Sequence, residues 1–160
     1  MKDTDLAYYA GILDGEGTIR IGKNKPLEYH TRTAHYYLQV IIANQNLQVL
    51  EELKQCFGGS IQRATGCYHL HMASRMAASF LEAVKPYSRI KLPQIEVALQ
   101  FQVLQTANAG NRQKKSDAYM LDLDGFRQRL SDLKQIDKLE FKIEFVNTRI
   151  ETIDSEMETK

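Results

Sequence analysis

Two acidic side chains, Asp14 and Glu16, flank Gly15 in the first part of the chain. They follow Leu6–Leu13, where apolar residues recur at helical spacing, so they fall at the predicted C-terminal end of a helix. Acids at this end oppose the helix dipole and need a cation or a structural partner. If two such helices pack side by side, their acids converge, and carboxylate and carbonyl oxygens are ligands that hard divalent cations prefer. The alternative is a helix that ends in glycine beside two solvated acids.

Small residues line one edge of the same predicted helix, at Ala10, Gly11 and Gly15. Small residues at this spacing let a second backbone approach closely, for steric reasons. We therefore predict that Ala10, Gly11, Asp14 and Gly15 lie at an interface between two copies of the chain. Because the sequence holds no convincing second copy of this segment, a symmetric homodimer is the economical way to provide two equivalent sites.

The elements that must position these acids alternate between helical and extended patterns. Helices are predicted over Thr4–Leu13, from about Asn46 to Phe57, from Ser74 to about Val84, and from Pro93 through Leu104. Strands are predicted over Thr18–Ile21, about Thr31–Ala43, Ser60–Ala64 and Cys67–Met72. Thr4 or Asp5 is predicted to cap the first helix, and Ser74 the third. This order predicts an α+β domain with an antiparallel sheet.

The C-terminal part of the chain has a different pattern. From Ile136 to Met157, apolar residues step alternately by three and four, a heptad-like stripe typical of a helix. Within it, Leu139–Phe145 also alternates by two, which would suit a strand, but the Glu and Lys content and the length favour a helix. We predict a core over residues 1–115 and a helical extension over 116–160 that packs on the core or on a partner chain.

Composition and charge narrow the classes of function. The chain has 160 residues, of which 43% are hydrophobic and 26% charged, which excludes global disorder, and no apolar run is long enough to span a bilayer. The net charge is +1, but residues 18–115 carry thirteen bases and five acids, whereas the acidic tail over residues 116–160 carries seven bases and eleven acids. A basic middle is expected of a chain that binds a polyanion on one face. The acidic start does not resemble a secretory signal, so we expect a protein of the cytoplasm or an organellar matrix, with no membrane partner.

The segment Tyr9–Gly17 resembles the motif of the LAGLIDADG homing endonucleases, with Tyr9 in place of the leading leucine and Glu16 in place of the second aspartate. The order of elements over residues 4–107 resembles the αββαββα core of that family, here followed by C-terminal helices. The segment Lys85–Gln94 resembles the part that delivers a basic residue to the active site. The resemblance implies a site-specific endonuclease that hydrolyses both strands of a long, roughly palindromic DNA site with a divalent metal.

The resemblance also implies roles for single residues. Glu16 becomes the metal-binding carboxylate, with the carbonyl of Gly15 as a second candidate ligand, and Asp14 is mainly structural. Lys91 becomes the lysine that stabilises charge on the scissile phosphate or orders water. The metal is expected to be Mg²⁺, with Mn²⁺ able to substitute, and no organic cofactor is expected.

The family often places an amide side chain where the second long strand meets the next helix. Asn44, Gln45 and Asn46 compete for that place, and we favour Asn44 and then Gln45 as catalytic residues. The implied partners are double-stranded DNA and a second copy of the chain, in a protein encoded by a mobile intron. A non-cleaving binder, such as an intron RNA maturase or a transcriptional regulator, is the alternative. An oligomerisation module would explain the acidic tail but not the basic middle.

Strand alternation selects the candidate DNA contacts. The residues Leu38, Val40 and Ile42 share a core face, so their neighbours point outward, and an antiparallel ribbon suits the major groove. The predicted base or phosphate contacts are Arg20, His35, Tyr37, Gln39, Gln62, Arg63, His69 and His71. Lys23, Lys25 and Arg32 are predicted to contact backbone phosphates. A solvated polar face is the alternative, and His69 with His71 could instead form a transition-metal pair.

Overall fold

The computed structural model describes residues 1–24, 34–108 and 116–158, with side chains of the last helix described as far as residue 143 except for 140 and 141. Within these ranges the elements are α1 (Asp3–Glu16), β1 (Gly17–Asn24), β2 (His35–Asn44), α2 (Leu47–Phe57), β3 (Ser60–Ala64), β4 (Cys67–Ala73), α3 (Arg75–Val84), α4 (Leu92–Ala107) and α5 (Asp117–Glu158). The predicted α+β class is confirmed, with an αββαββα core from α1 to α3 followed by C-terminal helices.

The four strands form one antiparallel sheet in the order β1-β2-β4-β3. In its register, Val40 lies opposite both Ile19 and Met72, and all three side chains are fully buried. Directly paired residues point to the same face of a sheet, so these positions define the core face. All five helices contact the strands. The hydrophobic core therefore lies between the sheet and the helices, and the opposite face carries the polar residues.

Helix α1 runs directly into β1 at Gly17. The Gly17 N–H donates to the Leu13 carbonyl, and an added Cβ at Gly17 would lie only 2.6 Å from that carbonyl oxygen. The φ of Gly17 is −81°, so close approach rather than backbone conformation demands glycine here. The tight turn places Glu16, the last residue of α1, at the end of the sheet where β1 begins.

Helix α5 packs against α4 and β1 through its first half. Its residues Tyr119, Leu123 and Leu130 are buried, and the Phe126 ring meets Phe101 edge-on with 6.4 Å between centroids. The helical prediction for this segment is confirmed, and the strand alternative is wrong. Three members of the apolar stripe are exposed: Ile136, Leu139 and Ile143. None of the described helices combines the length and the apolar sequence that crossing a bilayer requires.

The helix starts differ from the predictions in detail. Helix α1 begins at Asp3, and the backbone N–H of Lys2 donates to the Asp5 carboxylate at 2.9 Å, so Asp5 and not Thr4 closes this end. Ser74 occupies the N-cap position of α3 with a φ of 49°, but its side chain forms no capping hydrogen bond. That part of the prediction is wrong, because Ser74 instead uses its backbone N–H, which donates to the Leu38 carbonyl of β2 at 2.8 Å.

We expect Gly17→Ala to destabilise the chain, because the new methyl group would overlap the Leu13 backbone. Overpacking of this kind lowers the free energy of unfolding by about 1–3 kcal/mol. The matched control is Gly125→Ala in α5, where an added Cβ meets no atom within 4 Å. Alanine is the better helix former, so the control should be unchanged or more stable by up to about 1 kcal/mol. Denaturant unfolding measures both, and wild-type stability of Gly17→Ala would contradict the close approach.

Candidate active site and nucleic-acid interface

The carboxylate of Asp14 binds the turn that precedes α4. It accepts hydrogen bonds from the Ser88 hydroxyl at 2.6 Å and from the backbone N–H groups of Arg89, Ile90 and Lys91 at 2.8, 3.2 and 3.0 Å. Helix α4 has no capping side chain of its own at the N-cap residue Lys91. An acid at the end of one helix therefore caps the start of another, which offsets its unfavourable position on the α1 dipole.

The same contacts set the protonation of Asp14. Burial alone would raise the pKa of this carboxyl, but the hydrogen bonds from Ser88 and from the backbone of residues 89–91 outweigh burial and lower the pKa below its ordinary 3.8. Hydrogen bonds that satisfy the charged form favour ionisation. Asp14 is thus held as a carboxylate at neutral pH and serves the turn, which agrees with the structural role implied by the resemblance.

The turn places Lys91 beside the end of α1, where its ammonium group donates to the backbone carbonyl of Asp14. Burial lowers the pKa of Lys91, while the negative charges of Asp14 and Asp137 act in the opposite direction. The side chain is half-buried, so it is held in place rather than free in solvent. The basic residue expected from the segment Lys85–Gln94 is therefore fixed near the acidic end of α1.

Glu16 lies at the exposed end of α1 and meets the end of β2. The Asn44 amide donates to Glu16 Oε2 at 2.6 Å, and Asn44 Oδ1 accepts from the Asn46 N–H at 2.7 Å. Asn46 in turn caps α2 by accepting from the Gln48 N–H at 3.0 Å. Of the three competing amides, Asn44 is the one that contacts Glu16. Gln45 is exposed, and among the described contacts it makes no hydrogen bond to Glu16.

The donors for a metal at this place are oxygen atoms. Glu16 and Gly15 are exposed at the C-terminal end of α1, where the last carbonyl groups lack partners within the helix. A carboxylate and a carbonyl suit a hard divalent cation such as Mg²⁺. In the described parts of the chain, no group of three or more His, Cys, Asp or Glu side chains is placed to hold a metal ion. At this end of α1 Glu16 is thus the carboxylate available to a metal, since Asp14 is committed to the α4 turn.

A polar row crosses three strands on the face of the sheet opposite the core. The Arg20 guanidinium donates to the Gln39 side-chain oxygen at 2.6 Å, and the Gln39 amide nitrogen lies 3.4 Å from His71 Nδ1. Burial, together with the nearby His69 and Arg20, lowers the pKa of His71 below 6.5, which favours its neutral ring at pH 7. Donors and acceptors are therefore set side by side on β1, β2 and β4.

The register places four further predicted contacts on this same face: His35, Tyr37, Gln62 and His69. The rings of His35 and Tyr37 stack with 6.3 Å between centroids, and those of His69 and His71 are tilted at 6.0 Å. No third metal-ligating side chain joins the histidine pair among the described residues. The face is thus a polar and aromatic surface across all four strands.

Lys23 forms an ion pair within the chain. It pairs in register with Tyr36, on the core side of β1, and its ammonium forms an ion pair with Asp124 of α5 at 2.8 Å. The hydrogen bond to Asp124 raises the pKa of Lys23. In this chain α5 supplies an anion for Lys23, whose side chain stays partly exposed, and the phosphate contact of Lys23 stays a prediction. The other two predicted phosphate contacts, Lys25 and Arg32, lie outside the described residues.

Arg63 lies on the opposite side of the sheet from the polar row. It pairs with Tyr68, whereas its neighbour Gln62 pairs with His69. Since adjacent strand residues point to opposite faces, Arg63 and His69 cannot share one. The prediction of Arg63 beside the outward histidines is therefore wrong, and regular alternation in β3 is the reason.

Helix α1 keeps an exposed, uncharged face formed by Tyr8, Gly11 and Gly15. An added Cβ at Gly11 or Gly15 would meet no atom of the chain within 4 Å. Ala10 is fully buried in the core, so its predicted place at an interface between chains is wrong. It belongs to the face of α1 that covers the sheet.

Sequence reasoning missed several residues around Lys91. Ser88 and Gln94 are buried polar residues, and the Gln94 amide donates to Asp137 of α5 at 2.6 Å. A serine just before the helix start marked by Pro93 is a signal that could have found Ser88. No sequence signal gives Asp137, because its position depends on how α5 packs along α4.

The fold is that of the LAGLIDADG homing endonucleases. Homing endonuclease I-CvuI, solved with a DNA target, superposes with a TM-score of 0.69 and 16% identity over 82% of each chain. For I-GzeII, a LAGLIDADG homing endonuclease solved with its DNA target, the values are 0.64 and 17% over 76% of this chain and 43% of that one. For I-TnaI they are 0.59 and 15% over 82% and 97%. No protein-family model and no curated protein matches the sequence.

We expect Asp14→Asn to destabilise the chain, because an amide offers one acceptor oxygen where the carboxylate serves four donors. Leaving such donors unpaired lowers the free energy of unfolding by about 1–3 kcal/mol. Because the folded pKa of Asp14 is below 3.8, the wild type keeps this stabilisation above that pH and loses it as the pH falls through the folded value. Urea unfolding without divalent metal, at about pH 7 down to pH 2, measures both effects.

The control for this experiment is Asp122→Asn, an exposed residue of α5 with the same change of charge. It should keep wild-type stability at pH 7 and the same loss in acid. Equal stability of Asp14→Asn and Asp122→Asn would show that the α4 turn does not depend on Asp14.

Proposed function

We propose that the chain is a site-specific DNA endonuclease that acts as a homodimer with a divalent metal ion. The observation that carries this proposal is the hydrogen bond from Asn44 to Glu16 at the end of α1, where Lys91 donates to the carbonyl of Asp14, beside the polar face of the sheet. An exposed carboxylate, an amide that orients it and a lysine fixed nearby form a set that suits phosphodiester hydrolysis. The LAGLIDADG fold, found in enzymes solved with DNA, supports the same activity.

Each residue has a distinct task in this reaction. Glu16 and the carbonyl of Gly15 would hold the metal, and Asn44 restrains the Glu16 carboxylate by its hydrogen bond. Metal ions at such sites activate the attacking water and stabilise the leaving oxygen. Lys91 provides positive charge where negative charge develops on the phosphate. Asp14 positions Lys91 through the α4 turn and does not contact the reacting atoms.

Two copies of the chain would complete the enzyme. One chain supplies one free carboxylate at the end of α1, and two strands must be cut. The uncharged face of α1 (Tyr8, Gly11 and Gly15) has open space over both glycines, which suits close packing of two helices. A two-fold axis between these helices brings both Glu16 carboxylates together and matches a roughly palindromic target.

The polar sheet face would hold the DNA. Strand β2 has 10 residues, which at ~3.3 Å each span about one turn of duplex. A dimer would therefore cover a site of about 20 base pairs. The row of Arg20, Gln39 and His71 offers donors and acceptors at the spacing of neighbouring strands, and a two-stranded ribbon fits the major groove.

We expect Glu16→Gln to abolish cleavage while leaving DNA binding largely intact, because the substitution removes a charged metal ligand and leaves the sheet face unchanged. The assay selects cleaved molecules from a randomised duplex library, first with Mg²⁺ and then with Ca²⁺. The isosteric control is Glu82→Gln, an exposed residue of α3, which should cleave like the wild type. Undiminished cleavage by Glu16→Gln would refute the role of Glu16 as a metal ligand. A wild type that never cleaves would refute the proposed endonuclease activity.

We expect Gly11→Leu to yield monomers, because a leucine side chain fills the space that a second α1 helix would occupy. The control is Gly125→Leu, an exposed helical glycine of α5 that also has open space at its Cβ. Sedimentation velocity of the wild type and both variants gives the oligomeric state directly. A dimer that survives Gly11→Leu would contradict assembly through α1.

A further inference from the structure

A cleft of about 430 Å³ lies between β1 and the middle of α5. The sheet contributes Arg20, Lys23 and Tyr37 to its lining, and α5 contributes Arg127 and Lys134. No carboxylate is among the described residues that line it. Four cationic side chains thus converge on one concave surface, although α5 belongs to a segment with an excess of acids.

The described carboxylates neutralise only part of the positive charge of this cleft. Asp124 forms the ion pair with Lys23 and also attracts Arg127. Within the described ranges no carboxylate pairs with Arg20 or Lys134, so positive charge is in excess around these two side chains. Such an excess is stabilised by a bound anion.

Lys134 is the cation of this cleft whose charged form is disfavoured by burial and by neighbouring cations. Its side chain is half-buried, and burial together with the charges of Arg20, Lys138 and Lys91 lowers its pKa. Desolvation and three neighbouring cations raise the free energy of the charged lysine, and a nearby anion would lower it again. The charges of the cleft therefore favour binding of an anionic group over a neutral one.

The position of the cleft indicates which anion it takes. Arg20 belongs both to the lining and to the polar row with Gln39 and His71. Lys134 interacts electrostatically with Arg20 on one side and with Lys91 on the other. The cleft thus continues the polar face past the β1 edge towards the candidate active site, along the path that the backbone of a bound duplex would follow.

We propose that this cleft binds a backbone phosphate of duplex DNA, with Lys134 and Arg127 of α5 as its contact residues. The proposal rests on the proposed DNA-binding function of the sheet face. It gives α5 a second task besides packing, because one of its faces extends the nucleic-acid surface beyond the sheet. Phosphate contacts of this kind position a duplex and add affinity without reading its sequence.

The variants Lys134→Gln and Arg127→Gln test this assignment with random-sequence duplex DNA in Ca²⁺. Each removes one phosphate contact, so the slope of log affinity against log salt should fall by about 0.9 per variant. Binding should weaken equally on target and unrelated duplexes. Lys134→Arg keeps the charge and should retain the wild-type slope. Two matched controls, Arg129→Gln in α5 and Lys54→Gln in α2, lie outside the cleft and should also retain it.

Three results would overturn the assignment. If the wild type binds DNA and both glutamine variants keep its salt slope, the cleft makes no phosphate contact, and the proposed function is unaffected. If the wild type binds no DNA, both the cleft and the proposed function fail. If inorganic phosphate binds the wild type but not Lys134→Gln, while both proteins show the same salt slope for DNA binding, the cleft is a site for a free anion and not for DNA.

Discussion

A single carboxylate, that of Asp14, joins the end of α1 to the start of α4. It accepts one hydroxyl and three backbone donors from residues 88–91, which form the turn that leads into α4. The contact brings Lys91 to the carbonyl of Asp14, two residues before Glu16, although Lys91 and Glu16 are far apart in sequence. Lys91 is therefore placed by the backbone of its own turn bound to Asp14, whereas Glu16 is held by the side chain of Asn44.

The sheet separates a buried core face from the polar face that we propose binds DNA. Its core face is covered by helices and closed by residues such as Ile19, Val40 and Met72, while its other face is left to polar side chains. Substitutions on the polar face leave the core untouched, so this surface is free to vary. The close packing of Gly17 on Leu13 puts Glu16 where these two regions meet.

Much of the fold followed from the sequence, because hydrophobic periodicity changes cleanly from helix to strand at each glycine-rich boundary. The short motif also indicated Asp14 and Glu16, and the contact between Asn44 and Glu16 agrees with the preferred amide. The errors share one cause. Spacing alone places Ala10 at an interface and Arg63 beside the histidines, but the burial of an alanine and the parity of a strand are decided by packing between distant elements. The cationic face of α5 was missed for the same reason, since only its contact with β1 separates those bases from the surrounding acids.

The hydrogen bonds that link Arg20, Gln39 and His71 couple three strands on one surface. Replacing Gln39 would release both of its neighbours, so the three side chains cannot be exchanged independently, and the effects of their substitutions will not add. A change in the DNA sequence preferred by the proposed binding face would therefore require several of these residues to change together. Selection, natural or in the laboratory, would have to search combinations across β1, β2 and β4 instead of improving one contact at a time.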